Sequence, residues 1–113
     1  MLIVFANRYR TLAPLDSVDG EALRLGARVI GVCREKQNTL TAARARERLD
    51  VLMLADVTGE VSAMYGLFDW QTAETEPGFF VIDRLGVVRL VVLGHLFPPH
   101  EMLDLVRFVT GGW

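Results

Sequence analysis

Two apolar segments near the end of the sequence constrain the fold of this chain more than any other feature. Phe79–Ile82 and Val87–Leu93 have the composition of β-strands, and the residues between them, Asp83–Gly86, are typical of a tight turn. The two segments are therefore expected to form an antiparallel hairpin. Pro98 and Pro99 then open a helix whose apolar residues recur at helical spacing. The chain thus ends in a strand–strand–helix unit.

The residues before this unit alternate between strands and helices. The sequence predicts strands at Leu2–Phe5, Arg28–Cys33 and Val51–Leu54, a helix that Gly26 ends, a helix from about Leu40 to Leu49 with Thr39 as its N-cap, and a helix from about Gly59 to Tyr65. Strands joined by helices run parallel with right-handed crossovers. This order of elements predicts an α/β, thioredoxin-like fold, a mixed sheet flanked by helices, with residues 1–113 as a single domain.

Composition excludes several classes of protein. The chain is 51% hydrophobic, which is enough for a packed core, and its formal net charge of −2 argues against a dedicated nucleic-acid binder. One cysteine excludes an intramolecular disulfide framework and fits a reducing compartment. The apolar runs are too short to span a membrane, and the first residues lack the basic region of a signal peptide. We therefore expect a cytoplasmic protein with no nucleic-acid or membrane partner.

Three segments in register carry a resemblance to a known family. They are Leu25–Val32, Ala55–Gly66 and Phe80–Arg89. In order and spacing they resemble the peroxiredoxins, specifically the alkyl hydroperoxide reductase/thiol-specific antioxidant group near the bacterioferritin comigratory proteins. The resemblance covers most of the chain and concerns its scaffold. The sequence starts directly at its first predicted core strand, so we expect no counterpart to the N-terminal hairpin of full-length peroxiredoxins.

The chemistry that this resemblance implies would lie just after the first strand. Peroxiredoxins place a reactive cysteine at the start of the helix there, and thioredoxin-like oxidoreductases place two cysteines there after a tryptophan. In this chain Tyr9 matches the tryptophan, and Arg10 and Ala13 match the two cysteines. Neither residue has a thiol, and arginine is no nucleophile because its guanidinium stays protonated. The family's peroxide chemistry therefore does not carry over to this position.

Pro77 is a second point of difference from the peroxiredoxins. The family has an arginine at this position, which helps to hold the peroxide, whereas thioredoxins have a cis-proline that faces the two cysteines. The resemblance therefore implies a cis Glu76–Pro77 bond, with the alternative of a trans proline that ends a loop before the strand. With Tyr9, Arg10 and Ala13, Pro77 would then line a binding groove.

Cys33 is the only thiol, and it ends the second predicted strand. One interpretation makes it the catalytic residue of a one-cysteine peroxidase or redox sensor, activated by the nearby Arg34 and Lys36. The other makes it a small buried hydrophobic residue, as free cysteines usually are.

The remaining candidate side chains give weaker indications of function than Cys33 does. His95 and His100 have no further ligand at metal-binding spacing, and no nucleotide-binding motif is present, so we expect neither metal nor cofactor. An aromatic set (Phe68, Trp70, Phe97 and Trp113) would mark a partner surface if its members were exposed together. By analogy with the family we expect a homodimer.

Three functions remain open from the sequence. The first is a peroxiredoxin-like domain that has lost its peroxidatic cysteine and acts in binding or assembly. The second is an antioxidant oxidoreductase that works through Cys33. The third is a small anion-binding module that uses Arg8 and Arg10 at a helix start.

Overall fold

A computed structural model describes residues 1–110 of the chain. Its strands and helices, in chain order, are β1 (Leu2–Ala6), α1 (Tyr9–Leu12), a 3₁₀ turn (Ala13–Leu15), α2 (Asp16–Arg24), β2 (Val29–Cys33), α3 (Gln37–Glu47), β3 (Leu52–Ala55), α4 (Glu60–Met64), β4 (Phe68–Asp69), β5 (Glu74–Thr75), β6 (Gly78–Ile82), β7 (Val88–Leu93) and α5 (Pro99–Thr110).

The main sheet has five strands in the order β3-β2-β1-β6-β7. β1, β2 and β3 are parallel, β6 is antiparallel to β1, and β7 is antiparallel to β6. Helices cover the parallel part, because parallel strands need long crossover connections. This is the thioredoxin-like mixed sheet that the order of elements predicts, and the hairpin around Asp83–Gly86 is confirmed.

The two faces of the sheet are filled differently. Alternate residues of each strand point to opposite faces, so Leu2 and Val4 belong to one apolar cluster and Phe5 to another. The larger cluster includes side chains of α1, α2, α3 and α5. The smaller cluster joins Phe5 to Val32, Leu67 and Phe80 on the opposite face. One face is therefore the main core, and the other has only a small central cover.

Three local features differ from the sequence prediction. Thr39 is not an N-cap, since α3 already begins at Gln37 after an extended Lys36 and ends where Arg48 adopts a left-handed conformation (φ 55°). The short α1 and the 3₁₀ turn were not predicted. Nor was the small hairpin formed by β4 and β5, because strands of two residues leave no apolar pattern in the sequence.

Gly59 lies where two independent constraints exclude a side chain. Its φ of +79° lies in the left-handed region, and an added Cβ would lie 2.4 Å from Cε1 of Phe68. Gly66 shares the first constraint alone: its φ is +76°, and no atom lies within 4 Å of an added Cβ. A comparison of alanine substitutions at the two glycines therefore separates the cost of backbone strain from the cost of steric overlap.

We predict that Gly59→Ala destabilises the protein more than Gly66→Ala does. Gly66→Ala should cost about 1 kcal/mol from backbone strain. Gly59→Ala should cost a further ~1–3 kcal/mol, because Phe68 must move away from the new methyl group. Urea unfolding of both variants measures the difference. Equal losses would contradict the close packing of Phe68 on this turn.

Candidate functional site

The loops at one edge of the sheet form the candidate site. β1, β2 and β3 end there at Ala6, Cys33 and Ala55, and β6 begins at the same edge because Gly78 pairs with Phe5. In open α/β sheets, ligands bind beyond the carboxyl ends of the strands. We call this the carboxyl edge.

Asn7 fastens the β4–β5 hairpin to the end of β1. Its side-chain amide donates a hydrogen bond to the Thr75 carbonyl, and its carbonyl oxygen accepts one from the Thr75 amide, each at 2.8 Å. The side chain thereby substitutes for a backbone partner on a neighbouring strand. Two segments 68 residues apart in the sequence are held together by this reciprocal pair.

Arg34 holds two further loops at the carboxyl edge. Its Nε and Nη2 donate to the Val57 carbonyl at 3.3 and 2.9 Å, and its Nη1 donates to the carbonyl of Ala73. Its guanidinium also stacks on the Phe68 ring, 5.1 Å from the ring centre. Because these contacts involve all three of its nitrogens, Arg34 serves as a structural clamp between the loop before α4 and the β4–β5 hairpin.

A buried polar chain lies beside this clamp. Asp56 accepts hydrogen bonds from the amides of Val61 and Ser62, at 3.1 and 2.8 Å, and from the Ser62 hydroxyl at 2.8 Å. The Thr75 hydroxyl in turn donates to the Ser62 hydroxyl oxygen at 2.9 Å. Asp56 thus caps α4 and joins it to the β4–β5 hairpin.

A cavity of about 240 Å³ opens between these loops. Its lining residues are Asn7, Arg8, Arg34, Ala73 and Glu74. Arg8 is exposed, and its guanidinium lies 4.0 Å from the Glu35 carboxylate. The second carboxylate oxygen of Glu35 is buried without a hydrogen-bond partner among the described residues. The cavity is therefore polar, and Arg8 is the cation in it whose donors are least occupied.

Cys33 lies at this edge, but its side chain points into the main core. The residue is 1% exposed and packs within the larger apolar cluster. Burial raises the pKa of its thiol; a backbone hydrogen bond from Glu35 opposes this rise, and the Glu35 carboxylate adds to it. A thiol with a raised pKa is mostly protonated at neutral pH and is a poor nucleophile in that form.

The four predicted groove residues lie outside the lining of the cavity at the carboxyl edge. Tyr9 is buried, and its hydroxyl accepts a hydrogen bond from Arg46 at 3.0 Å. Arg10 stacks over the Tyr9 ring at 5.4 Å, and Ala13 begins the 3₁₀ turn. Neither these residues nor Pro77 is among those that line the cavity at the carboxyl edge. A groove formed by them stays a prediction.

The predicted cis bond before Pro77 is wrong. No peptide bond within residues 1–110 is cis, so the Glu76–Pro77 bond is trans. The Pro77 carbonyl accepts a hydrogen bond from Gly94, and the preceding amide of Glu76 donates to the Leu67 carbonyl. Both neighbouring peptide groups are thus satisfied with an ordinary trans bond, which is also the cheaper isomer.

Only two members of the predicted aromatic set are in contact with each other in the structure. Phe68 and Trp70 meet edge to face with ring centres 4.6 Å apart, and Trp70 is 78% exposed. Phe97 packs against Phe79 instead, and Trp113 lies outside the described residues. Within residues 1–110 no group of three His, Cys, Asp or Glu side chains is placed to hold a metal ion. No helix in the same range is long and apolar enough to cross a bilayer.

Comparison with known proteins identifies the scaffold. The model of the AhpC/TSA family matches residues 10–91. Peroxiredoxin-2 of Sus scrofa is 30% identical across 78% of this chain and 75% of its own length. The chain belongs to the AhpC/TSA family. The family match begins at Arg10, so it includes Arg10 and Ala13, the positions matched above to the two cysteines of thioredoxin-like oxidoreductases.

Solved structures of related fold confirm the architecture. AhpC of Enterococcus faecalis superimposes with a TM-score of 0.79 over 95% of this chain and 73% of its own, at 14% identity. The peroxidoxin BcpB of Mycobacterium tuberculosis gives 0.75 over 96% and 79%, at 17% identity. At such identities the likeness shows the fold, and the thioredoxin-like assignment of this family member stands.

Sequence reasoning missed the residues that organise this edge. Asn7 and Arg34 act through partners that are distant in sequence, whereas Asp56 binds amides five and six residues further along, in the predicted helix α4. The one local signal was the spacing of Asp56 from the start of α4, where a carboxylate can cap the first amides of a helix.

We predict that Asp56→Ala destabilises the protein by about 2–3 kcal/mol, because it leaves two amides and the Ser62 hydroxyl without their acceptor. Asp69→Ala serves as a matched control, since Asp69 accepts only turn amides at a more exposed position. That variant should lose less than about 1 kcal/mol. Thermal unfolding measures both, and comparable losses would show that the buried chain contributes no more than a surface turn.

Proposed function

We propose that this protein is a member of the AhpC/TSA family without peroxidase activity, and that it acts by binding. The observation that carries the proposal is the state of its only thiol: Cys33 is 1% exposed and its pKa is raised by burial. A peroxidatic cysteine needs the opposite conditions, an accessible sulfur and a stabilised thiolate. The segment that follows β1 supplies no replacement, because Arg10 and Ala13 cannot act as nucleophiles.

The organisation of the carboxyl edge supports binding over catalysis. Arg34 and Asp56 fix the loops there, and a polar cavity remains between them. A prearranged cavity with few convergent polar groups is typical of a ligand site. Its lining residues include no serine, threonine, cysteine, lysine or histidine that could act as a nucleophile beside a base.

The decisive experiment measures how Cys33 reacts with hydrogen peroxide and with iodoacetamide. An active thiolate would attack the peroxide, break the O–O bond and become a sulfenic acid with hydroxide as leaving group. We expect the folded protein to keep its unmodified mass after a stoichiometric dose. Alkylation should be roughly a hundredfold or more slower in the folded protein than in urea, because the thiol must wait for local opening.

The pH dependence provides a further check. Because the pKa of Cys33 is raised in the folded protein, the pH midpoint of its alkylation rate should lie above the ordinary pKa of a free cysteine, which is about 8.5. The Cys33→Ser variant controls for oxidation elsewhere in the chain. Fast oxidation of the wild type, or a Cys33-linked dimer, would refute the proposal and establish the alternative of an oxidoreductase that works through Cys33.

Anion binding by Arg8 and Arg10 is a second candidate, and Arg8 alone has an observation in its favour, because it lines the cavity at the carboxyl edge. Arg10 stacks on Tyr9 outside that cavity, and α1 has only four residues. Phosphate titration of the wild type, Arg8→Gln and Arg10→Ala tests it. Loss of binding in Arg8→Gln alone would place the anion in the cavity, and loss in both would support the paired site.

Self-association as a homodimer belongs to the same proposal. Its support is the outer strand β7, which has one edge without a partner strand within residues 1–110 and exposes Val88, Val91 and Leu93. Such an edge is a template for pairing with a second copy. A cytoplasmic location stays a prediction from the single unpaired cysteine.

We predict that Val91→Lys abolishes a dimer seen by sedimentation equilibrium, because a lysine on an edge strand opposes pairing. Leu85→Lys is the control, since Leu85 lies in the β6–β7 turn, away from the strand edge, and is also exposed in the monomer (85%, against 46% for Val91). It should leave the association constant unchanged. A monomeric wild type, or a dimer that both variants keep, would exclude this strand as the interface.

A further inference from the structure

A second cavity lies at the opposite edge of the sheet, where the parallel strands begin. Its volume is about 310 Å³, and its lining includes residues of α2, of β2 and of the segment that enters β3. We propose that this cavity is a binding site for a small organic cation, an alkylammonium or alkylguanidinium, whose charged group is held by the carboxylate of Asp19. The site is separate from the carboxyl edge and does not depend on the function proposed above.

The cavity offers an apolar surface beside a few charged groups. Leu23, Ile30 and Leu52 provide its apolar lining, and all three are partly open to solvent. Asp19, Arg28 and Asp50 provide the charges. An apolar lining with a small number of polar groups is the usual composition of a small-molecule site, and the volume lies at the lower end of the usual range. The ligand should therefore combine a short alkyl chain with one charged head.

Asp19 is the feature that structural needs alone do not account for. It is 8% exposed, yet no hydrogen bond or ion pair among residues 1–110 engages its carboxylate. Carboxylates of residues this buried normally have such partners, whereas the oxygens of Asp19 stay accessible from the cavity, since they are not among the enclosed polar atoms that lack a partner. Asp16, one turn earlier, shows the contrast: it accepts hydrogen bonds from the amides of Asp50 and Val51, at 2.7 and 3.0 Å. The Asp16 carboxylate therefore holds the segment that enters β3. The Asp19 carboxylate faces the cavity and holds no other segment.

The charges around Asp19 favour a cation as ligand. Burial raises the pKa of Asp19, and Asp16 and Asp50 raise it further, while Arg28 and Arg44 act in the opposite direction without reaching ion-pair distance. A bound ammonium group would supply the missing donors and relieve the repulsion among the three carboxylates. An anionic ligand would have to approach Asp19 and Asp50 together, which is unfavourable.

We predict saturable binding of butylammonium to the intact protein, measured by NMR titration of backbone amides, with shifts concentrated at the cavity. Butan-1-ol and butyrate, which keep the alkyl chain without the positive charge, should bind at least about tenfold more weakly, since hydrogen bonds to charged groups are the stronger ones. The Asp19→Asn variant should lose affinity for butylammonium by about tenfold or more. Asp104→Asn, which changes an exposed carboxylate on α5, should leave the affinity unchanged.

A second variant gives the cavity its own cation. Leu23 lines the cavity from an exposed position on α2, so Leu23→Lys should fold and place an ammonium group near Asp19. We expect it to compete with butylammonium and abolish its binding. In the wild type, saturating butylammonium should lower the pKa of Asp19, followed by carbon-13 NMR of its carboxyl group. Equal affinity for butan-1-ol, unchanged binding in Asp19→Asn, an unmoved pKa, or no saturable binding would each overturn the proposal.

The stability of the Asp19→Asn variant shows whether weaker binding could come from a folding defect. Because the pKa of Asp19 is raised in the folded state, the folded protein binds this proton more tightly than the unfolded chain does. Stability from this residue is therefore present at low pH and is lost as pH rises through the folded-state pKa. Asp19→Asn removes that loss, so the variant should be at least as stable as the wild type at pH 7. Its reduced binding would then report the missing charge.

Discussion

The covering of one face of the sheet is the constraint on which the rest of the structure depends. The connections from β1 to β2 and from β2 to β3 advance in the same direction across the sheet, and right-handed crossovers then place α2 and α3 on the same side. α5 joins them in the larger apolar cluster. The opposite face keeps only the small cluster around Phe5 and Phe80. The parallel strands all end at one edge, and the loops that follow them lie beyond the helices that cover the sheet. Contacts other than helix packing must therefore hold these loops in place.

Polar side chains meet that need at the carboxyl edge. Arg34 and Asn7 bind backbone groups of the β4–β5 hairpin, and Asp56 binds the first amides of α4. Charge-assisted hydrogen bonds to backbone groups are stronger than neutral ones. They fix loops that have little apolar surface of their own. The shape of this edge therefore rests on Arg34, Asn7 and Asp56 and does not depend on a thiol.

The sequence predicted features that depend on neighbouring residues and failed where distant ones decide. Asp83 lies in a tight turn because its side chain accepts the amides of Leu85 and Val87, both within four residues. Arg34 gave no such signal, since its partners lie 23 and 39 residues further along the chain. The cis bond at Pro77 was inferred from a thioredoxin resemblance that assumes two facing cysteines, and this chain has neither.

The aspartates at the two edges of the sheet differ in whether hydrogen bonds within the fold account for their charge. Asp56 and Asp16 are bound by amides of the loops they organise, so their charge is explained by structure. Asp19 has comparable burial but lacks such donors, and Asp16 and Asp50 make its ionised form costlier still. A neutral asparagine would avoid that cost in the folded protein. The position of this carboxylate, in the lining of a cavity and without a donor of its own, is the observation behind the positively charged ligand proposed there.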